Sequence, residues 1–148
     1  MKAIRRIVHP SDFSPASRAA FAKAVELARA NRAELILAHV VDAVMPLGPD
    51  GYIAPNVYED IQKSARAYAQ RKLAALVERA KQGRVRATPL LLEGGAFQGI
   101  LRAAKSRRAD MIVMGTHGRT GLAKLFLGSV AERVVASASC PVLTVRGR

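Results

Sequence analysis

A single cysteine, Cys140, stands in this chain of 148 residues, which excludes a disulfide framework and leaves no thiolate set for a structural zinc. A reducing compartment is the natural reading. Cys140 lies between Ser139 and Pro141 at the entry to the last apolar run, with no histidine or base suggested beside it, so a structural strand-entry role is favoured over a nucleophile. Aromatic residues are equally scarce, four Phe and three Tyr, too few to interleave with a basic face for stacking nucleic-acid bases. No apolar run approaches the ~20 residues of a membrane span. Met1 to Val8 lacks the apolar core of a secretory leader, so a soluble, cytoplasmic protein with no membrane partner is expected. Acidic residues number 11 against 24 basic ones, a net charge of +13. Most of that charge is read as solvated helix surface; nonspecific adhesion to nucleic acid at low salt follows from it, but no specific nucleic-acid function does.

Familiar catalytic signatures are also missing. There is no GxxxxGK[ST], no GxGxxG and no GxSxG, and His9, His39 and His117 have no HExxH spacing. His39, near the end of an apolar run, is read as a packed strand residue.

What is present is an alternation of short apolar runs with amphipathic helical ones, the pattern of an α/β domain with a parallel sheet, here one domain over residues 1–148. Strands are expected at Arg6 to His9, Glu34 to Val41, Val85 to Leu92, Met111 to Met114 and Val142 to Val145. Ser14-Pro15 reads as an N-cap followed by proline at the first helical position, opening a helix to about Ala30 whose inward face carries Ala20, Ala24, Leu27 and Ala28. A helix from about Val57 to Gln82 is expected to bury Ile61, Ala65, Tyr68, Ala69, Leu76 and Ala80. Shorter helices are expected at Phe97 to about Arg107, turning Ile100, Leu101 and Ala104 inward, and at Ser129 to about Ser137. Asp42 to Asn56, rich in Pro and Gly, reads as a long loop or lid.

The most informative stretch is Gly115-Thr116-His117-Gly118, nine further residues, then Gly128-Ser129, directly after the apolar Met111 to Met114. Glycine lets backbone N–H groups approach an anion, and a helix N-terminus supplies unpaired donors, so the stretch reads as a phosphate cradle. The alternative is a loop whose glycines only permit the turn. Arg119 and Lys124 lie within the loop and would meet phosphate charge, unless they are ordinary surface cations. In an open parallel sheet, ligands bind beyond the carboxyl ends of strands where strand order reverses. If the first and fourth strands are neighbours at that reversal, Asp12, after the first strand, would face the cradle and bond ribose or a divalent cation, or else it forms an Asx-turn ahead of Ser14.

Pro10-Ser11-Asp12-Phe13-Ser14, His39-Val40-Val41-Asp42, Ala109 to Gly115, Gly115-x2-Gly118-x9-Gly128-Ser129 and Cys140-Pro141-Val142-Leu143-Thr144-Val145, in that order, resemble the ATP-binding branch of the universal stress protein family over essentially the whole chain. The resemblance implies a Rossmann-like, HUP-type fold with five parallel strands in the order 3-2-1-4-5 and helices on both faces. It implies an adenine nucleotide, ATP or else ADP or AMP, carried with Mg²⁺ or Mn²⁺. Its cofactor residues would be Pro10, Ser11, Asp12, Val40, Met114, Gly115, Gly118, Arg119, Gly128, Ser129 and Val130. Asp12 would contact ribose or the metal, Val40 would hold adenine through its backbone, and Gly115 would lie against the ribose. Gly118, Gly128, Ser129 and Val130 would hold phosphates. Pairing of the last strands, Val142 to Val145, would form a homodimer. The basic charge departs from the family's usual picture, and Glu93-Gly94-Gly95-Ala96 lacks the proline often found after the glycine. A stress-responsive regulator or sensor with at most slow ATP hydrolysis and a protein partner of its own is the expected function. A partner-binding module without physiological nucleotide is the alternative.

Overall fold

The computed structural model describes residues 2–42, 49–117 and 127–147. The elements run β1 (Arg6–Pro10), α1 (Pro15–Asn31), β2 (Glu34–Val41), α2 (Pro55–Gln82), β3 (Ala87–Glu93), α3 (Ala96–Ser106), β4 (Met111–Gly115), α4 (Ser129–Ser137) and β5 (Val142–Val145). All four strand pairings are parallel, in the order β3-β2-β1-β4-β5. This is the expected order. Because every strand points the same way, all strand-to-helix turns lie on one edge of the sheet and all helix-to-strand turns on the other.

Strand alternation divides the core into two layers. Ile7, Leu35, Leu37 and Val113 face α1 and α2, packing on Phe21, Ala24, Ala28, Leu73, Val77 and Ala80. Val8, Ile36, Ala38, Ile112 and Met114 face α3 and α4, packing on Ile100, Ala104, Ala131 and Val134. The central strands are therefore apolar on both faces, as a parallel sheet covered on both sides requires.

Two helical readings need correction. α2 starts at Pro55, inside the stretch read as loop, because proline at the first helical position needs no donor. Its buried face is Ala69, Leu73, Val77 and Ala80, whereas Ile61 and Tyr68 are 41% and 45% exposed. Length is the reason. A helix of 28 residues is ~42 Å long, while β2, with 8 residues, spans ~26 Å. The sheet therefore covers only the C-terminal half of α2, and the first half rises past the carboxyl edge of the strands.

Candidate functional site

At the carboxyl edge, β1 and β4 pair only at Ile7 with Met111 and Val8 with Ile112. Chain order reverses here: β1 leads to β2 on one side, and β4 lies on the other. One residue beyond the last pair, the His9 ring takes over, with Nδ1 2.8 Å from the Val113 carbonyl oxygen. A carbonyl only accepts, so Nδ1 carries the proton and Nε2 is the unprotonated nitrogen. His9 is fully buried, its ring 5.9 Å from that of Phe21, and Nε2 has no hydrogen-bond partner among the described residues. Burial pushes its pKa down from 6.5 to about 4, outweighing the Val113 bond and the Asp12 charge, which act the other way.

The turn after β1 is built from its own short side chains. The Ser11 amide donates to Ala38 O (2.8 Å), the Phe13 amide to Ser11 Oγ (3.1 Å) and the Ser14 amide to Asp12 Oδ1 (2.9 Å). Asp12 thus makes the Asx-turn. Ser14 caps α1 by accepting from the Ser17 amide at 3.3 Å. The turn bond uses one of the about four acceptor sites of the carboxylate. Phe13 sits at φ 63°, a left-handed conformation unusual for an aromatic residue, and its ring stacks on His39 at 4.4 Å and meets Tyr68 edge-on at 6.3 Å. His39 Nδ1 lies 2.7 Å from Ser11 O, so the ring read as mere packing also ties the end of β2 to the β1 turn.

The β1–β2 ladder ends at Pro10 and Ala38. The Ala38 carbonyl points toward β1, accepting from Ser11, and the Val41 carbonyl points the other way, accepting from Gly94 at 3.0 Å. Alternation then turns the Val40 N–H and C=O toward the β1 side, past the ladder's last rung. The Val40 side chain packs into the second core layer against α3, where a Cβ on Gly99 would come within 2.8 Å of Val40 Cγ2.

Met114, in β4, is buried in the second core layer, and Gly115 ends the strand against α1, where an added Cβ would lie 3.3 Å from His117 O and 3.6 Å from Ala16 O. The Thr116 amide donates to Val145 O (3.0 Å), and the Gly128 amide donates to Thr116 O (2.6 Å), which closes the loop. Gly128 therefore acts here as a clasp. α4 begins at Ser129 with no side-chain cap, unlike α1, so the donors of its first turn, Ser129 and Val130 among them, point out of the helix without a capping side chain. Gly118, Arg119 and Lys124 lie outside the described residues. Pro10, Ser11, Asp12, Val40, Met114, Gly115, Gly128, Ser129 and Val130 all fall on or beyond the carboxyl ends of β1, β2 and β4. The reading from sequence missed His9 and Phe13; the one available signal was a histidine closing an apolar run directly before Pro-Ser-Asp.

Cys140 is half-buried, and burial followed by the Asp110 charge pushes its thiol pKa up, which disfavours the thiolate. Among the described residues no three His, Cys, Asp or Glu side chains group as metal ligands, and no helix is long and apolar enough to cross a membrane.

A doubly wound parallel sheet whose switch point is flanked by an aspartate turn and a glycine-bounded helix N-terminus defines a protein of the Rossmann-like α/β class. The model of the universal stress protein family matches residues 3–146, and this chain belongs to that family. A universal stress protein of Methanocaldococcus jannaschii is 38% identical over 142 residues, covering 96% of this chain and 82% of the relative. One from Thermus aquaticus is 38% identical over 135 residues, covering 91% and 93%. Among solved structures, the universal stress protein UspA of Lactobacillus plantarum superposes with a TM-score of 0.85 at 25% identity, covering 99% of this chain and 100% of that one. A family protein from Arabidopsis thaliana, solved with AMP bound, gives 0.69 at 23% identity over 97% and 92%. The universal stress protein of Archaeoglobus fulgidus, solved in complex with dAMP, gives 0.67 at 20% over 98% and 100%.

Proposed function

We propose that this chain binds an adenine nucleotide, ATP or else ADP or AMP, at the carboxyl edge of β1, β2 and β4. The observation that carries this reading is the turning of the Val40 N–H and C=O past the end of the β1 ladder, on the side where the Asp12 turn and the uncapped start of α4 also lie. Two family structures hold AMP and dAMP. Val40 would read adenine through its backbone, and Asp12 and Gly115 would flank the ribose with Pro10, Ser11 and Met114 beneath. Ser129 and Val130 would donate to phosphates together with Gly118, Gly128 and Arg119. Such a nucleotide brings its own oxygens to Mg²⁺ or Mn²⁺, so one protein carboxylate, Asp12, suffices as the protein's share. Bound there, the ion would offset phosphate charge. Among the described residues none is placed as a general base, so the reading is a nucleotide-binding, stress-responsive regulator with at most slow hydrolysis, dimeric through β5 and working in the cytoplasm with a protein partner.

Calorimetric titration with Mg-ATP tests it on three proteins. Asn also forms the Asx-turn, so Asp12→Asn keeps the turn and removes the charge; Gly118→Val obstructs the cradle. The wild type should bind, and both variants should weaken binding at least ~10-fold, the value of one charged hydrogen bond, with unchanged circular dichroism. Equal affinity in all three would reduce Asp12 to a turn residue and the glycines to a hinge.

A further inference from the structure

The opposite edge of the sheet carries an unabsorbed feature of the sequence, its arginines. Three of the four helix-to-strand turns there, those after α1, α2 and α3, end in the same backbone device. The Ala33, Val85 and Ala109 amides donate to Ala28, Ala80 and Ala104 at 2.8, 3.0 and 2.8 Å, and the preceding amides donate to Arg29, Lys81 and Lys105 at 3.3, 2.8 and 3.1 Å. This pair of bonds is the Schellman motif, whose central residue is left-handed and ordinarily Gly or Asn. Here it is Arg32, Arg84 and Arg108, at φ 53°, 60° and 51°. A side chain is strained there, and a cation at a helix C-terminus offsets only part of that strain. What the exchange leaves is positive charge on one edge.

Two adjoining clefts open along that edge, about 430 and 320 Å³, sharing Arg6, Glu34 and Arg108. Arg107 lines the first, and Lys2, Arg5 and Arg86 the second. Their carboxylates are already engaged. Asp110 accepts from the Arg5 and Arg6 amides (2.9 and 3.0 Å) and pairs with Lys2 at 3.1 Å, while Glu34 accepts from Thr88 Oγ1 at 2.8 Å. Among the described residues, Arg5, Arg6, Arg86, Arg107 and Arg108 form no ion pair. No aromatic side chain lines either cleft, so there is no platform for stacking bases. Arginine forks match phosphate oxygens in pairs.

We propose that these clefts form a second anion site, at the amino edge of the sheet, for a compact ligand carrying adjacent phosphate groups. It is separate from the nucleotide reading and does not depend on it. The test titrates inorganic tripolyphosphate into the full chain at moderate salt. Arg6→Gln with Arg108→Gly removes two lining charges and leaves the turn with its ordinary glycine. Lys63→Gln with Arg71→Gln removes the same charge from the exposed face of α2. The first variant should weaken tripolyphosphate binding at least ~10-fold and keep its Mg-ATP affinity and circular dichroism, while the second should change binding less than ~2-fold. Absent binding, or equal weakening in both variants, would overturn the site as diffuse charge. RNA binding that tripolyphosphate fails to displace would overturn it in favour of a nucleic-acid surface.

Discussion

Acid should destabilise this protein well above the carboxylate range, and His9 is the reason. In the unfolded chain His9 titrates near 6.5, in the fold near 4, so the unfolded state takes up the proton first as pH falls. The stability contributed by the neutral ring is complete above pH 6.5, drains away below it and is gone once pH passes through the folded value. At about 1.4 kcal/mol per pH unit the whole loss is on the order of 3 kcal/mol. With those two pKa values, about 2 kcal/mol has gone by pH 5. Asp110 acts in a different window. The Arg5 amide above all holds its carboxyl below 3.8 against burial, which acts the other way, with Lys2 and the Arg6 amide adding to the lowering, so its contribution persists until pH falls under that value.

The perturbation is His9→Asn, whose amide can donate to Val113 O as Nδ1 does but does not titrate. Urea unfolding at pH 7.5 and pH 5 gives the assay. At pH 7.5 the variant should be less stable by about 1–3 kcal/mol, since the ring's contact with Phe21 is lost. At pH 5 the wild type's advantage should have shrunk by about 2 kcal/mol, because only the wild type carries the titration. His39 and His117 are present in both proteins and cancel in the comparison. Parallel pH dependences would refute the reasoning: His9 would then not be a buried neutral ring.

Other expectations follow from the same geometry. Arg32→Gly and Arg84→Gly relieve left-handed side chains and should each raise stability by about 0.5–1 kcal/mol, with a rise in thermal midpoint of about 1–4 °C as the check. Gly99→Ala places a methyl 2.8 Å from Val40 Cγ2, a stiff β-branched neighbour, and should cost about 1–3 kcal/mol, restored in part by adding Val40→Ala in a double-mutant cycle. Cys140, with its thiol pKa raised by burial, should react with iodoacetamide at neutral pH more slowly in the folded protein than after denaturation.

How far the sequence could be read depended on how local the physics was. β2 and β5 are where alternation and apolar runs place them, and Ser14-Pro15 caps α1 as read, because each signal sits within a few residues of its effect. The upper half of α2 was misread because Ile61 and Tyr68 repeat correctly on an apolar stripe; what exposes them is the length of a sheet elsewhere in the chain. The position of Asp12 opposite Gly115 depends on strand order, which periodicity does not encode and which the family resemblance supplied. Its bond to the Ser14 amide shows that the modest reading of that residue was sound, and a carboxylate can do both things. The helix ends held the least legible information. No propensity argument puts arginine at a left-handed position, so three such arginines in one chain read from sequence only as surface charge. In the fold they stand in three equivalent turns on a single edge, each against the local rule. Departures from a local rule collect where something other than stability is being served, and a departure repeated three times in one place points to that edge as a place to look for it.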